Sequence, residues 1–349
     1  MSQALLGLPL PALEAALAPE PPFRARQLVR WMVERRTDAF GAMSDLPRAL
    51  RERLEAGFTV GYPTVVSRTP AGDGSEKLLL SLADGARVEA VLIRDGERIT
   101  VCVSSQAGCA LACAFCVTGR MGAGRNLVAG EILGQYLAAA RLAGFGPHRA
   151  NVVFMGMGEP LLNVPNVTAA LDALETEVAP RRTTVSTAGI VPGIEALARR
   201  PRRPNLAVSL TAPDDALRSR LMPVNATYPI ASLFAALARW PLERGRRITF
   251  EYVLIEGVND GAAEARALAR LVARVPSKVN LIPLNESPEW LPGLSRPGEE
   301  AVDAFARVLA GAGIDTTVRW SKGLGAEAAC GQLKGRTAPG HLPARRSPS

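Results

Sequence analysis

The chain has 349 residues, 48% hydrophobic and 21% charged, with 41 lysines and arginines against 33 acidic residues for a formal net charge of +8. That composition provides a large core and excludes a disordered chain, and no stretch approaches the roughly 20 uncharged apolar residues of a membrane helix. The basic balance favours an anionic partner, of which nucleic acid is the commonest for a cytoplasmic enzyme.

Residues 1–70 carry helical patterns in FRARQLVRWMVERR and LPRALRERLEAGF without strand–helix alternation, which predicts a small helical accessory domain. The first residues lack a basic n-region and carry Pro9, Pro11 and Glu14 among apolar positions, so no secretory leader is expected and the chain is placed in the cytoplasm. Residues 71–97 form an extension in which EKLLLSLADGARVEAVLI reads as two strands joined at Asp84-Gly85. Within it RVEAVLI is apolar on both faces around Glu89. A carboxylate there is expected to be paired or to bind its proton tightly, although a charge guarding an edge strand would look the same.

From residue 98 to 335 short β-rich runs alternate with helical stretches: ITVCVSS, NVVFMGMGE, TTVSTAG, NLAVSLTAP, RITFEYVLIEGVND, KVNLIPLN and DTTVRWS, separated by segments such as GEILGQYLAAARLAG and AAEARALARLVARV. About six βα units predict an α/β protein with a parallel, partly closed (β/α)6 barrel, whose chemistry stands at the C-terminal ends of the strands. The tail 336–349, rich in Pro, Ser and Arg, is expected to be flexible and basic.

Four of the five cysteines fall within CVSSQAGCALACAFC, and three of those form CxxxCxxC at Cys109, Cys113 and Cys116. Three thiolates on one loop can hold three irons of a four-iron cluster and leave the fourth open. A structural zinc would need a fourth ligand, and the two histidines, His148 and His341, lie in a turn and in the tail. In GMGEPLLN, Gly156 and Gly158 permit close backbone approach and Glu159 can accept from an ammonium group. Ser186, Ser209 and Asn285 each follow an apolar strand, where a turn residue and a ligand contact look alike. Cys102 and Cys330 remain, and either alone reads as a small buried thiol.

The cysteine loop resembles that of the radical S-adenosylmethionine (SAM) enzymes. With FRARQLVRWM, GRMGAGRNL, MGMGEPLLN, VSTAGIVP, AVSLTAP, NLIPLN and AACGQL, the chain resembles the RlmN/Cfr family of radical SAM RNA methyltransferases along most of its length. The resemblance implies a 4Fe-4S cluster on Cys109, Cys113 and Cys116, and SAM contacts at Gly158, Glu159, Ser186, Ser209, Leu210, Thr211 and Asn285. It also implies a methyl-carrying Cys330, a resolving Cys102 that forms a transient disulfide with it, and Glu89 as proton acceptor. It extends to adenine C2 in 23S rRNA and tRNA as substrates, a reductant such as flavodoxin, and a monomer. Histidine is usual in the family where Thr211 stands, and the residues after Asn285 also depart from the pattern. The family contains C8-methylating members with the same five cysteines; the N-terminal similarity and GRMGAGRNL favour C2. A non-catalytic iron-sulfur RNA-binding protein is the alternative from another class.

Overall fold

Ten of the strands share one sheet, each lying beside its predecessor in sequence. The computed structural model describes residues 2–320 and 322–335; the tail predicted over 336–349, with His341, lies outside the described residues.

The chain begins with β1 (Gln3–Ala4), α1 (Leu10–Leu17), α2 (Phe23–Val29) and α3 (Arg48–Gly57), followed by β2 (Phe58–Thr59) parallel to β1. Leu13 and Leu17 on α1, and Leu50 and Leu54 on α3, are buried pairs at i,i+4 spacing, the stripe that lets a short helix pack. Then come β3 (Thr64–Pro70), β4 (Glu76–Ser81), β5 (Arg87–Asp95) and β6 (Arg98–Cys102), antiparallel throughout. The β4–β5 turn falls where Asp84-Gly85 predicts it: Leu82 N donates to Ala86 O at 2.8 Å and Gly85 takes φ 84°. β3 is not anticipated by the sequence. Its TVVSRTP is mostly exposed and bulged between Val65 and Ser67, an edge strand with no buried face to impose alternation.

From β6 the sheet is parallel through β7 (Ala150–Phe154), β8 (Thr183–Thr187), β9 (Asn205–Ser209), β10 (Ile248–Leu254), β11 (Ser277–Pro283) and β12 (Thr316–Val318). The intervening helices are α4 (Val117–Met121), α5 (Ala129–Ala143), α6 (Val164–Leu174), α7 (Val191–Ala198), α8 (Asp215–Leu221), α9 (Ile230–Ala238), α10 (Ala262–Val272) and α11 (Glu299–Gly311). Consecutive strands adjoin without reversal of order, the winding of a barrel rather than of a doubly wound sheet, and β3 and β12 are its unjoined edges. In β7 and β8 every second residue is fully buried and faces the helices, while Asn151, Val153, Thr184 and Ser186 are half-buried toward the inside.

The N-terminal segment is seated directly on α5. A Cβ on Gly130 would lie 2.1 Å from Leu6 O, and one on Gly7 2.3 Å from Gly130 N, so these backbones touch where no side chain fits. No helix among the described residues is long and apolar enough to cross a membrane.

Candidate active site

The rim formed by the C-terminal ends of β6 and β7 is locked by short polar side chains. Ser104 Oγ donates to Glu89 O at 2.6 Å and accepts from Met157 N at 2.8 Å. Gln135, wholly buried on α5, pairs with both the N–H and the C=O of Ser104. Gly156 and Gly158 lie against Ser104 and Gln106; Cβ atoms there would come within 2.7 Å of Ser104 Oγ and 2.5 Å of Gln106 Cβ. Only glycine permits this approach, and Gly158 also takes φ 95°.

The cysteine loop leaves this rim and is closed by Cys109 N donating to Gly122 O at 2.8 Å and by Gly108 against Gly124. Cys109, Cys113 and Cys116 face one cavity together with Gly158, Glu159, Ser186, Ser209, Asn285 and Cys330. Burial pushes the Cys109 thiol up to about 11 and raises Cys113 and Cys116 as well. Iron binding as thiolate must therefore expel those protons. Burial likewise raises Glu159 to about 7, against the opposing hydrogen bonds from Ala188 N at 2.7 Å and Leu161 N at 2.9 Å.

Leu210 and Thr211 are fully buried and absent from the cavity wall. The Leu210 carbonyl accepts from Arg218 Nε and the Thr211 carbonyl from Asn259 Nδ2. Thr211 sits at φ 56° with its Oγ1 unpartnered, a posture that costs a β-branched residue more than it costs histidine.

Cys330 lies on a strap, residues 330–335, tied to both sides of the rim. Asn285 Nδ2 donates to Cys330 O (2.9 Å), Val117 N to Gly331 O (2.7 Å), Gln332 Nε2 to Glu286 O (3.0 Å), and Thr118 Oγ1 to Leu333 O (2.5 Å). The last tie reaches Glu89, whose Oε2 accepts from Lys334 N at 2.9 Å while Oε1 pairs with the buried Lys77 ammonium at 3.3 Å. Glu89 does not line the cavity of the cysteine loop and sits beneath the strap. Cys102 is on the interior face of β6, opposite Val91, and faces a second cavity that Cys330 also lines. Burial, then the nearby Cys330, push the Cys102 thiol up to about 12. All five cysteines are free.

The sequence alone does not single out Arg218. Its wholly buried guanidinium donates to Ala188 O (2.6 Å), Ser209 O (3.1 Å), Leu210 O (3.2 Å) and Asn225 Oδ1 (2.8 Å), joining the ends of β8 and β9. Nor does it single out Lys77 or Arg319, which lines both cavities. One signal was present: lysine persists at only four positions among 41 basic residues, and Lys77, Lys278, Lys322 and Lys334 all border Glu89 or the second cavity.

Comparison with known proteins agrees with this geometry. The radical SAM superfamily domain matches residues 103–269, and the ribosomal RNA large subunit methyltransferase N-terminal domain matches residues 3–60. The dual-specificity RNA methyltransferase RlmN of Anaeromyxobacter dehalogenans is 44% identical over 94% of this chain and 90% of its own length. The chain belongs to the RlmN family. The RlmN of Marinobacter nauticus is 45% identical over 95% of this chain and 92% of its own. A crystal structure of a radical SAM methyltransferase from Sphaerobacter thermophilus superposes with TM-score 0.90 at 45% identity, covering 96% of this chain and all of that one. This is an enzyme family of radical SAM RNA methyltransferases, and its radical SAM domain implies a 4Fe-4S cluster and SAM. The donor set fits: three thiols of one loop share a cavity whose lining residues include no histidine, with a glycine-lined recess and a buried carboxylate beside them.

Proposed function

We propose that the chain methylates C2 of adenine in 23S rRNA, at the peptidyl-transferase centre, and in tRNA, through a methyl group carried on Cys330. The observation that carries this is the position of Cys330 at the junction of two cavities, one holding the cysteine loop and the other Cys102. Cys109, Cys113 and Cys116 would hold the cluster; Gly158, Glu159, Ser186, Ser209 and Asn285 stand where SAM would lie against them, with Leu210 and Thr211 supporting from behind. Bound there, cluster and SAM supply the methyl group, one electron and a hydrogen-abstracting radical.

The chain's own residues account for the rest. Glu159 is placed to take an ammonium group, since its carboxylate lines the cavity and each of its oxygens has only one backbone donor. Cys330 carries the one-carbon unit to adenine. Cys102, as its thiolate, then attacks the sulfur of Cys330; the new sulfur–sulfur bond displaces the transferred carbon, which keeps the bonding electron pair and takes a proton to become the methyl group of the product. Glu89 receives the C2 proton once Lys334 N–H lets go of it. The protein acts as a cytoplasmic monomer fed by a reductant such as flavodoxin.

Cys330→Ala is the test. It should abolish RNA methylation while the reconstituted chain retains its iron and sulfide. Mass spectrometry of RNA nucleosides should find 2-methyladenosine with the wild-type chain; 8-methyladenosine, or methylation surviving in Cys330→Ala, would refute the proposal.

A further inference from the structure

A barrel of parallel strands is normally filled by layers of branched apolar side chains. Here the half nearer the N-terminal ends of the strands is not filled. It contains the second cavity, of about 670 Å³, and the side chains facing it include Thr100, Asn151, Thr184, Asn205, Asn280 and Thr317, one from each of six strands. These short hydroxyls and amides stand among Val91, Ile93, Val153 and Val318. Around its mouth stand Arg98, Arg181, Arg182 and Lys278, and the whole lining has six basic residues against Asp95, which is already paired with Lys322 at 2.7 Å. Trp320, 46% exposed, also lines this cavity, just past the end of β12.

At the opposite end the strap 330–335 is tied by five hydrogen bonds to α4, the segment after β11, and β5. The cavity beneath the strap is the one assigned to cluster and SAM. The second cavity reaches Cys330 from the N-terminal side of the barrel, and it is also lined by Cys102.

From this geometry we infer that the target nucleotide of a single-stranded RNA segment enters the barrel from the N-terminal ends of its strands. Its purine passes between the ring of threonines and asparagines to meet Cys330. The flanking phosphates rest on Arg98, Arg181, Arg182 and Lys278, and Trp320 offers a face for a neighbouring base. An unstacked base presents donors and acceptors on its edge and charge on its backbone, and the cavity offers amides and hydroxyls inside with guanidinium groups outside. The inference rests on the proposed function and specifies the route by which its substrate arrives.

The test uses the anaerobically reconstituted full chain and two readouts: S-methylation of Cys330 by SAM without RNA, and methyladenosine formed in a tRNA anticodon stem-loop. Arg181→Glu/Arg182→Glu should leave Cys330 methylation and kcat unchanged, raise KM for the RNA, and flatten the log–log salt dependence of binding by about 1.4, at roughly 0.7 per phosphate on a single strand. Thr184→Trp, which plugs the interior, should abolish RNA methylation and spare Cys330 methylation. Arg266→Glu/Arg270→Glu, on the outer face of α10, serves as the control and should change neither. Wild-type KM and salt slope in the first variant, or an equal loss in the control, would overturn the route while leaving the activity established. A wild-type chain that methylates neither Cys330 nor RNA would instead overturn the function beneath it.

Discussion

Arg218 gives the sharpest energetic prediction. Its charge has no carboxylate within the clamp and is held by three carbonyls and an amide oxygen, and burial lowers its proton affinity to about 10. Arg218→Met fills much of the same space but orphans four acceptors. At about 1 kcal/mol each, the low end for a buried group because a carbonyl keeps a second lone pair, the loss is about 4 kcal/mol. An unfolding entropy of about 2.1 cal/mol/K per residue over 349 residues is about 0.7 kcal/mol/K, so Tm should fall by about 6 °C. Anaerobic thermal unfolding without SAM measures this. KM for SAM should rise in the same variant, because the ends of β8 and β9 are no longer joined at Ala188 and Ser209. Arg218→Lys should fall between the two, since one ammonium cannot reach all four acceptors. A Tm for Arg218→Met within about 1 °C of wild type would show that the clamp contributes nothing and refute the reasoning.

Other outcomes follow from the same geometry. Burial raises Glu159 from 4.5 to about 7, so between those values the folded protein binds a proton that the unfolded chain has released. Its contribution is greatest below pH 4.5 and is lost as pH rises through 7, by roughly 3 kcal/mol at most; the cofactor-free Glu159→Gln variant should lack that decline in denaturation measured across the window. Lys77→Met leaves Glu89 buried without its ammonium partner, so kcat for RNA methylation should fall and Lys77→Arg should restore it; an unchanged kcat would argue against Glu89 as the proton acceptor. A Cβ on Gly124 would lie 2.4 Å from the Ala107 carbonyl. Gly124→Ala should therefore displace the cysteine loop, cost about 2 kcal/mol and lower the iron and acid-labile sulfide retained per chain.

The alternation of strands and helices was legible because each buried strand and each amphipathic helix repeats its own period, and the cysteine loop because its spacing is local. Ser186, Ser209 and Asn285 could be grouped since parallel strands deliver their ends to one rim. What depends on register was not legible. Lys77 meets Glu89 because Leu79 pairs with Glu89 across β4 and β5, which puts Lys77 one step diagonal on the same face. Arg218 and Arg220 look alike in DALRSRL, yet the first is wholly buried and the second exposed, a distinction made by how α8 packs under β8 and β9. The left-handed backbone at Thr211 is equally invisible, since threonine is a poor advertisement for it.

The strap at 330–335 bears on heat tolerance. Five hydrogen bonds of ordinary strength secure it, whereas the sheet beneath is secured by the whole core, so local detachment requires far less free energy than global unfolding. Catalysis should therefore fade on warming at temperatures where circular dichroism still reports an intact fold, and return on cooling. Resistance to inactivation could then be engineered at the last few residues of the barrel without touching its core.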